Sequence, residues 1–406
     1  MKILQVNCVY NKGSTGKLTH DIHCQLQNSG LDSVVCYGRG AKTGEPGVYK
    51  VCSELYSKFQ NLLTRFTGIM YGGCACSTAR LISRIRAERP DVVHLQCING
   101  YFVNIYRLLN YLKKQKIPTI VTLHAEFMYT ANCGHADACE KWKKGCGNCP
   151  RLRKETGSLI FDGTGRSWER MRKAFAGSEN IFIITSVSPW LRNRAVQSPM
   201  LKNHQHRVVC NGIDTEVFKP VFSKELYDRY NPDGKKLVLH VTARFKDPNK
   251  GGRYVLDLAQ RLGEEYQILL VGNGIPEQKE LPSNVVRIGP VSDHRHLAAL
   301  YTLCDVTVLT SKKETFSMIC AESLSCNTPV VGFYAGGPEQ IALPDYSAFC
   351  EYGNISALEK LVREWADRPK HDNCRQQAIC AYEKKQMVNG YLSVYREVLA
   401  MVGGKS

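Results

Sequence analysis

The sequence predicts an α/β protein with two doubly wound domains, each built on a parallel sheet. Short β-branched runs alternate with amphipathic stretches of helical period along the chain, which is the pattern of βαβ units. The length of 406 residues and the 43% share of hydrophobic residues exceed one ordinary core and exclude a disordered chain. A polar stretch at residues 211–236, which contains Pro220, Pro232 and Gly234, divides the runs into two series.

Strands are expected on both sides of this stretch. They are predicted first at residues 3–9, 33–37, 91–96, 119–123 and 180–187, and then at residues 237–241, 267–271, 285–288, 305–309 and 329–332. Helices are predicted at residues 78–89, 103–114, 252–262 and 297–303. Each of these helices has an apolar side at helical spacing, so it can connect two parallel strands and pack on the sheet.

The predicted domains are residues 1–215, with a cysteine-rich insertion at about 125–155, and residues 216–372. The segment 373–406 is predicted to be helical because Tyr391 and Tyr395 recur at helical spacing, and the sequence leaves open which domain it contacts. Open parallel sheets bind ligands beyond the carboxyl ends of their strands. Two such sheets facing each other would place a site in the cleft between them.

The positive charge is concentrated in the first half of the chain. The formal net charge is +17, from 54 Lys and Arg against 37 Asp and Glu. Residues 1–215 hold 30 of the basic and 14 of the acidic side chains, a net of +16, whereas residues 216–406 hold 24 and 23, a net of +1. This asymmetry predicts that the first half meets a polyanionic partner.

Composition excludes two classes of protein and indicates a compartment. No apolar run approaches the roughly 20 residues that span a bilayer, and the N-terminus lacks the apolar core of a signal peptide. The chain is too large to need its eighteen cysteines as a disulfide scaffold. We therefore expect a reducing cytoplasm, in which most of the cysteines are small buried hydrophobes.

A glycine-rich turn follows the first strand, at Gly13-Ser14-Thr15-Gly16-Lys17. It departs from the nucleotide-binding P-loop because only two residues separate its glycines and Leu18 follows the lysine. Such a turn can still offer backbone N–H groups to an anion at a helix N-terminus. The alternative is a tight strand-to-helix turn with no ligand.

Cationic and glycine-rich loops follow the strands of the second half. Arg244 comes after the predicted strand 237–241, Lys250-Gly251 precedes the next helix, and Gly272 ends the following strand. Two cations near a helix N-terminus suit a diphosphate, although a solvated basic loop would have the same composition.

Two glutamates are separated by seven residues in the stretch Glu314 to Glu322. A helix is predicted to begin near Ser317, which leaves several backbone N–H groups unpaired by the helix. Glu322 lies within that helix, where a carboxylate can accept both hydroxyls of a ribose. Gly336-Gly337-Pro338-Glu339 follows the next strand and allows another close approach of the backbone to a ligand.

These motifs, in this order, resemble the nucleotide-sugar half of family 4 (group 1) glycosyltransferases, which have the GT-B fold of two Rossmann-like domains. The segment that begins at Asn211-Gly212-Ile213-Asp214 is similar to the interdomain segment of that family. The resemblance covers nearly the whole chain, and it implies a bacterial enzyme of surface-polysaccharide assembly. It further implies transfer with retention, without a metal or other cofactor, from a UDP- or GDP-linked sugar to a glycan or lipid-linked acceptor.

The resemblance also implies roles for individual residues. Arg244 and Lys250 would neutralise the donor diphosphate, Glu314 would contact donor-sugar hydroxyls, and Glu322 would hold the nucleotide ribose. The implied catalytic residues are His124, Arg244, Lys250 and Glu314. The implied donor-binding residues are Gly16, Arg244, Lys250, Gly272, Glu314, Phe316, Ser317, Met318 and Glu322.

One position departs from the family pattern. His124 ends the strand 119–123 and would lie beside the transferred sugar, but Ala125 follows it where relatives commonly carry an acid. Glu126 would point to the other face if the strand continued. The alternative for His124 is a structural histidine with satisfied hydrogen bonds.

Four cysteines cluster in the predicted insertion with the spacing C-x5-C-x6-C-x2-C. Four soft ligands that include a CxxC pair can close a tetrahedral structural zinc site in a reducing compartment. Chance clustering is the alternative in a chain so rich in cysteine. The predicted ligands are Cys133, Cys139, Cys146 and Cys149.

The cysteines are followed by a dense basic run at residues 141–173, with ten Lys or Arg against three acids. A solvated surface, nucleic-acid binding and contact with an anionic membrane are three interpretations of this charge. Since no nucleic-acid module accompanies it, we expect no nucleic-acid partner and a peripheral position on the inner face of the cytoplasmic membrane. The alternatives to a glycosyltransferase are a nucleotide-sugar epimerase on the same scaffold and a zinc-containing nucleic-acid-binding protein.

Overall fold

The computed structural model describes residues 1–370 and 373–404, and the chain forms two compact units. The first unit contains residues 1–209 together with the chain from Met387 onward, and the second contains residues 210–386. Each unit is built on one parallel sheet. Two α/β domains with parallel sheets, as predicted, are therefore confirmed.

The first unit has a seven-stranded sheet with helices between its strands. The strands are β1 Lys2–Val9, β2 Asp32–Arg39, β3 Val48–Lys50, β4 Val92–Leu95, β5 Thr119–Leu123, β6 Phe182–Ser186 and β7 Gln205–Val208. The helices are α1 Gly13–Asn28, α2 Glu54–Thr67, α3 Ala75–Glu88, α4 Ile105–Lys114, α5 Phe127–Thr130, α6 Leu152–Thr156, α7 Thr164–Phe175 and α8 Pro189–Ala195, with a 3-10 turn at Lys141–Lys143.

The second unit has a six-stranded sheet. Its strands are β8 Lys236–Thr242, β9 Tyr266–Gly272, β10 Val285–Gly289, β11 Val306–Leu309, β12 Val330–Phe333 and β13 Ser347–Cys350. The helices are α9 Lys224–Tyr230, α10 Gly252–Leu262, α11 His294–Leu303, α12 Met318–Ser325, α13 Pro338–Ile341, α14 Ile355–Ala366 and α15 Asn373–Tyr382, with 3-10 turns at Pro248–Lys250, Gln278–Glu280 and Pro344–Tyr346. The last helix, α16, spans Lys384–Gly403. No helix in residues 1–370 or 373–404 has the length and apolar character to cross a membrane.

Both sheets have the strand order of a doubly wound fold. The first sheet runs β3-β2-β1-β4-β5-β6-β7 and the second runs β10-β9-β8-β11-β12-β13. In each sheet the chain starts at a central strand, winds to one edge and then crosses to the other side. Because helices cover both faces, the central strands are buried along almost their whole length. The switch point of the second sheet lies between β8 and β11, where open α/β sheets bind ligands.

The ten predicted strands are present, with ends that shift by one or two residues. Three further strands, β3, β7 and β13, were missed by the sequence prediction. All three lie at the edges of their sheets, and their side chains are largely exposed or half-buried. An edge strand packs against one neighbour only, so its sequence lacks the continuous apolar run of a buried parallel strand.

The units divide six residues earlier than predicted, after Val209 and not after residue 215. The polar stretch at residues 211–236 belongs to the second unit and contains α9. The side chain of Arg375 donates hydrogen bonds to the carbonyl oxygens of Thr215 and Phe218, at 3.0 and 3.1 Å. The Phe218 ring is buried and lies 5.4 Å from His294, centroid to centroid. These contacts place the predicted boundary inside the second unit.

The C-terminal segment is shared between the two units and is not a separate region. In α15, the thiol of Cys374 lies 3.4 Å from the carbonyl oxygen of Leu324 in α12, within the second unit. In α16, Tyr391 and Tyr395 are buried in the core of the first unit beside Ile3. The chain therefore returns to the first unit in α16 and completes its core.

Candidate functional site

The predicted donor motifs of the second unit lie in loops at the carboxyl ends of neighbouring strands. Lys250, Glu314 and Gly336 follow β8, β11 and β12, which are neighbours in the sheet. The backbone N–H of Glu314 donates to Ala335 at 3.0 Å, and that of Gly337 donates to the carbonyl of Glu314 at 2.9 Å. The two motifs are therefore fixed to each other by a short parallel bridge.

Lys250 and Glu314 form an ion pair at this edge. The Nζ atom of Lys250 lies 2.5 Å from Oε1 of Glu314, and both side chains remain partly exposed. The carbonyl oxygen of Lys250 accepts a hydrogen bond from Thr310 Oγ1 at 2.9 Å, which holds the loop against the end of β11. An ordered ammonium beside an ordered carboxylate can bind an anion and a hydroxyl group side by side.

Glycine is required beside the predicted phosphate loop. Gly251 has a φ of 68°, and a Cβ there would lie 2.1 Å from the carbonyl oxygen of Thr310. Gly272 has a φ of 145°, and its Cβ would lie 1.8 Å from the carbonyl oxygen of Thr242. Gly272 pairs with Thr242 across β9 and β8. The structure thus accounts for Gly272 by the close approach of two strands, and its predicted contact with the donor stays a prediction.

Helix α12 begins at Met318, next to the predicted start. Ser317 is its N-cap, with a φ of 91°, and its Oγ accepts a hydrogen bond from the N–H of Cys320 at 3.3 Å. The Phe316 side chain is buried, so this residue can offer only its backbone to a ligand. Met318 is half-buried at the first turn.

Glu322 is held in place by a tyrosine that no sequence motif indicates. The phenol of Tyr301 in α11 donates a hydrogen bond to Glu322 Oε2 at 3.0 Å. Burial and the nearby Glu322 carboxylate raise the pKa of the Tyr301 phenol well above its ordinary value, so the phenol keeps its proton and remains a donor. No spacing in the sequence links these two residues; the packing of α11 against α12 brings them together.

Glu339 has a structural role in the glycine motif. Its carboxylate accepts hydrogen bonds from the backbone N–H groups of Ala335 and Gly336, at 3.0 and 2.7 Å. It therefore stabilises the loop that contacts Glu314. Arg244, by contrast, is 75% exposed, and it lies 3.3 Å from the Asp247 carboxylate.

The other two predicted site residues, His124 and Gly16, belong to the first unit. His124 follows β5, and its Nε2 atom lies 3.1 Å from Oε1 of Gln96, which follows β4. Burial lowers the pKa of His124 to about 4, so the imidazole is neutral near pH 7. Gly16 lies buried in the first turn of α1, and its carbonyl accepts a hydrogen bond from the N–H of Asn11 at 3.0 Å.

Glu126 does not continue a strand, because β5 ends at Leu123. Its carboxylate is buried, lies 2.6 Å from Nε of Arg194 and accepts a hydrogen bond from the N–H of Ala136 at 2.6 Å. Its backbone N–H donates to the carbonyl of Gly134 at 2.9 Å. Glu126 therefore fixes the start of the cysteine-rich loop and not the surroundings of His124.

The four predicted cysteines line one small cavity together with Thr130, Asn132 and Trp142. Burial raises the pKa of the Cys146 thiol to about 11, so this thiol is protonated near pH 7. In the part of the chain that the structure describes, one group of three metal-ligating side chains has its ligand atoms within 4.8 Å of one another. None of these four cysteines belongs to that group. Structural zinc in this loop stays a prediction.

Comparison with known families accounts for most of the chain. Residues 16–217 match the model described as Glycosyltransferase Family 4, and residues 223–381 match the model described as Glycosyl transferases group 1. The chain belongs to the group 1, family 4 glycosyltransferases. It is therefore an enzyme of the glycosyltransferase class.

Individual relatives cover the full length of this glycosyltransferase. WcaC of Escherichia coli K12, assigned to colanic acid biosynthesis as a glycosyl transferase, is 22% identical over 98% of this chain and 100% of its own. A sucrose-phosphate synthase from Thermosynechococcus elongatus has a TM-score of 0.67 at 15% identity, with coverage of 98% and 100%. Anabaena HepE, solved with UDP-glucose, has a TM-score of 0.60 at 16% identity, with coverage of 97% and 100%. These structural similarities show the GT-B fold.

Proposed function

We propose that this glycosyltransferase moves a sugar from a UDP- or GDP-linked donor to a hydroxyl of a glycan or lipid-linked acceptor in surface-polysaccharide synthesis. Transfer proceeds with retention and without a metal or other cofactor. The observation that carries the proposal is the Lys250–Glu314 pair, fixed next to the start of α12 at the switch point of the second sheet. The UDP-glucose complex of HepE and the assignment of WcaC support the donor and the pathway.

Donor activation rests on stabilisation of the departing diphosphate. Lys250 and Arg244 supply positive charge, and the N–H groups at the start of α12 supply oriented dipoles. Arg244 is exposed on a loop, so it can turn toward the phosphates when the donor binds. These groups act most strongly when negative charge develops on the leaving group, so they lower the barrier to transfer.

The two glutamates select the sugar and the nucleoside. Glu314 accepts hydrogen bonds from hydroxyls of the transferred sugar, since its carboxylate is already ordered by Lys250. Glu322 accepts hydrogen bonds from the ribose hydroxyls, and the hydrogen bond from Tyr301 orients its carboxylate for this contact. His124 lies on the acceptor side, where a neutral imidazole orients a sugar hydroxyl by hydrogen bonding.

The first unit has an exposed apolar surface that supports contact with a membrane. On α2, Leu55 is 80% exposed, and Phe59, Leu62, Leu63 and Phe66 are also exposed. Residues 159–161, all apolar and exposed, lie at the end of the same helix, because the N–H of Leu159 donates to the carbonyl of Arg65 at 2.8 Å. We call α2 and residues 159–161 together the apolar surface.

The inward face of α2 is polar, which is the reverse of an ordinary surface helix. Ser57, Gln60 and Thr64 are its buried residues, and the Gln60 side-chain oxygen accepts a hydrogen bond from the N–H of Cys74 at 2.9 Å. The two basic side chains of this helix, Lys58 and Arg65, are exposed. An exposed apolar face flanked by Lys and Arg is typical of a helix that lies in the surface of an anionic membrane. We therefore place the enzyme on the inner face of the cytoplasmic membrane, near lipid-linked acceptors.

A thermal-shift panel of UDP- and GDP-sugars tests the donor site. We expect one donor to raise Tm for the wild type, and we expect Lys250→Ala and Glu322→Ala to lose most of that shift because each removes a direct contact. Lys360→Ala and Glu351→Ala, at exposed positions of the same unit, are matched controls that should keep it. Stabilisation by oligonucleotides alone, or equal shifts in all four variants, would contradict the proposal.

Product analysis tests the reaction itself. Release of the nucleotide should require an added acceptor, whereas an epimerase would convert the donor sugar without one. The anomeric configuration of the product, measured by NMR, should match that of the donor, and activity should persist in excess chelator. Loss of activity that Mg²⁺ or Mn²⁺ restores, and Zn²⁺ does not, would contradict the metal-independent route.

A further inference from the structure

A second group of metal-ligating side chains lies in the first unit, between α1 and the loop that joins β2 to β3. Ligand atoms of His20, Cys24 and Glu45 all lie within 4.8 Å of one another. His20 and Cys24 are four residues apart on α1 and therefore share one face of the helix. The Sγ atom of Cys24 lies 3.5 Å from Nε2 of His20.

His23, on the same side of α1, directs a buried nitrogen at the Glu45 carboxylate of this group. Its side chain is fully buried, and its Nδ1 atom lies 2.8 Å from Oγ of Ser33. The Nε2 atom has no hydrogen-bond partner, and it lies 3.6 Å from Oε1 of Glu45, too far for a hydrogen bond. A buried polar atom without a partner is uncommon in native structures and calls for an explanation such as an ion.

We propose that His20, His23, Cys24 and Glu45 form a zinc site. Imidazole nitrogen, thiolate sulfur and carboxylate oxygen are the ligands that Zn²⁺ prefers, at bond lengths of about 2.0–2.3 Å in a tetrahedral arrangement. Bonds of that length separate neighbouring ligand atoms by about 3.3–3.6 Å. Two pairs show this separation, the Cys24 sulfur with Nε2 of His20 at 3.5 Å and Nε2 of His23 with Oε1 of Glu45 at 3.6 Å. The group whose ligand atoms all lie within 4.8 Å of one another consists of His20, Cys24 and Glu45.

The surroundings of the four side chains suit a metal. Ser33 Oγ can accept a hydrogen bond from Nδ1–H of His23, which leaves the lone pair on Nε2 for the ion. The phenol of Tyr10 donates a hydrogen bond to Glu45 Oε1 at 2.7 Å and orients the carboxylate. In known zinc sites, hydrogen bonds of this kind to the metal-binding side chains fix the orientation of those side chains.

The proposed zinc would connect the middle of α1 to the loop before β3. That loop is otherwise held through Tyr37, whose phenol donates to the carbonyl of Ala41 and accepts from the N–H of Thr43, at 2.8 and 3.1 Å. We assign the ion a structural role because it would join two elements of the first unit, α1 and the loop before β3. Binding requires the thiolate of Cys24, so it releases a proton and weakens as pH falls.

Equilibrium dialysis of the chelator-stripped full chain against Zn²⁺, with metal analysis, tests the site. We expect Cys24→Ser and Glu45→Gln each to bind one zinc fewer per chain than the wild type. Cys76→Ser, at an exposed position of α3, is the matched control and should bind as much as the wild type. Circular dichroism shows whether each variant is folded, and Glu45→Gln is the conservative variant if Cys24→Ser misfolds.

Cobalt separates this site from the cysteine-rich loop. In a Cys146→Ser/Cys149→Ser background, Co²⁺ should still give a thiolate-to-cobalt charge-transfer band, and Cys24→Ser should abolish it. The proposal is overturned if the wild type binds no zinc, if all bound zinc is lost with Cys146 and Cys149, or if Cys24→Ser and Glu45→Gln bind as much as the wild type.

Discussion

Glu126 is 1% exposed and Arg194 is 18% exposed, and their ion pair connects the start of the cysteine-rich loop to α8. The same carboxylate accepts hydrogen bonds from Tyr129 and from the backbone of Ala136. A buried carboxylate of this kind is stable only while its partners are present, because the protein interior does not solvate it as water does. Loss of either partner would therefore destabilise the fold, because the other charge would stay buried without compensation.

Removal of one partner should markedly lower the free energy of unfolding. We expect Arg194→Met to lower the free energy of unfolding of the first unit by about 3 kcal/mol, because it leaves the Glu126 carboxylate uncompensated. The measurement is denaturant unfolding followed by circular dichroism. Arg172→Met, which breaks the exposed pair with Glu169, is the matched control and should unfold nearly as the wild type does. Equal losses in the two variants would show that Glu126 is not held by Arg194.

Helix α2 shows that the sequence of one helix does not determine which of its two sides is buried. Leu55, Phe59, Leu62 and Phe66 recur at helical spacing, a pattern that ordinarily marks the buried side of a helix. In the structure this side faces outward and the polar side packs inward. Periodicity shows that a helix is amphipathic, but only the neighbouring elements decide which side is buried.

The apolar surface should govern binding to lipid. We expect Leu55→Ser/Phe59→Ser/Phe66→Ser to lose co-sedimentation with vesicles of anionic lipid at low salt, because three exposed apolar side chains no longer enter the interface. Phe222→Ser, a change at an exposed phenylalanine of the second unit, is the matched control and should bind like the wild type. Equal sedimentation of the two proteins would remove the membrane contact from the proposed function.

At the scale of the whole molecule, the chain crosses between the units twice, after Val209 and after Gln386. The second crossing returns α16 to the first unit. Tyr395 of α16 is fully buried, and its phenol lies 2.8 Å from Nδ1 of His94. Burial lowers the pKa of His94 to about 3, so near pH 7 this histidine is neutral and part of the core. The first unit is incomplete without the end of the chain.

Truncation after Gln386 should therefore damage the first unit and spare the second. It removes six buried side chains from the core, Met387, Val388, Tyr391, Val394, Tyr395 and Val398. At about 1.5–3 kcal/mol for each side chain, the loss is comparable to the whole stability of a domain. We expect the shortened chain to bind a hydrophobic dye and to yield one protease-resistant fragment that begins near Cys210.

A surface change on the same helix is the control for this truncation. Ser393→Ala/Arg396→Ala replaces two exposed side chains of α16 and should leave dye binding and protease resistance as in the full chain. If the shortened chain gives the same two protease-resistant units as the full chain, α16 does not complete the first core.

Sequence patterns determined the elements that are buried on both sides and the motifs that follow them. Strands β1, β5 and β8 are rich in Ile, Val and Leu, as expected of parallel strands that helices cover on both faces. The order of Lys250, Glu314 and Gly336 along the chain predicted a common site, since the ends of parallel strands meet at one edge. The family resemblance followed from these residues, and the matches to both family models confirm it.

Only the tertiary structure decided which side of an element is buried, which partner a polar group has and where the units divide. Tyr301 beside Glu322, Arg194 beside Glu126 and Glu45 beside His23 are contacts between residues separated by 21, 68 and 22 positions. No local spacing encodes such contacts, because they depend on how whole helices and loops pack. The same holds for α16, whose apolar residues fit either unit in principle and whose position is set by the core that it completes.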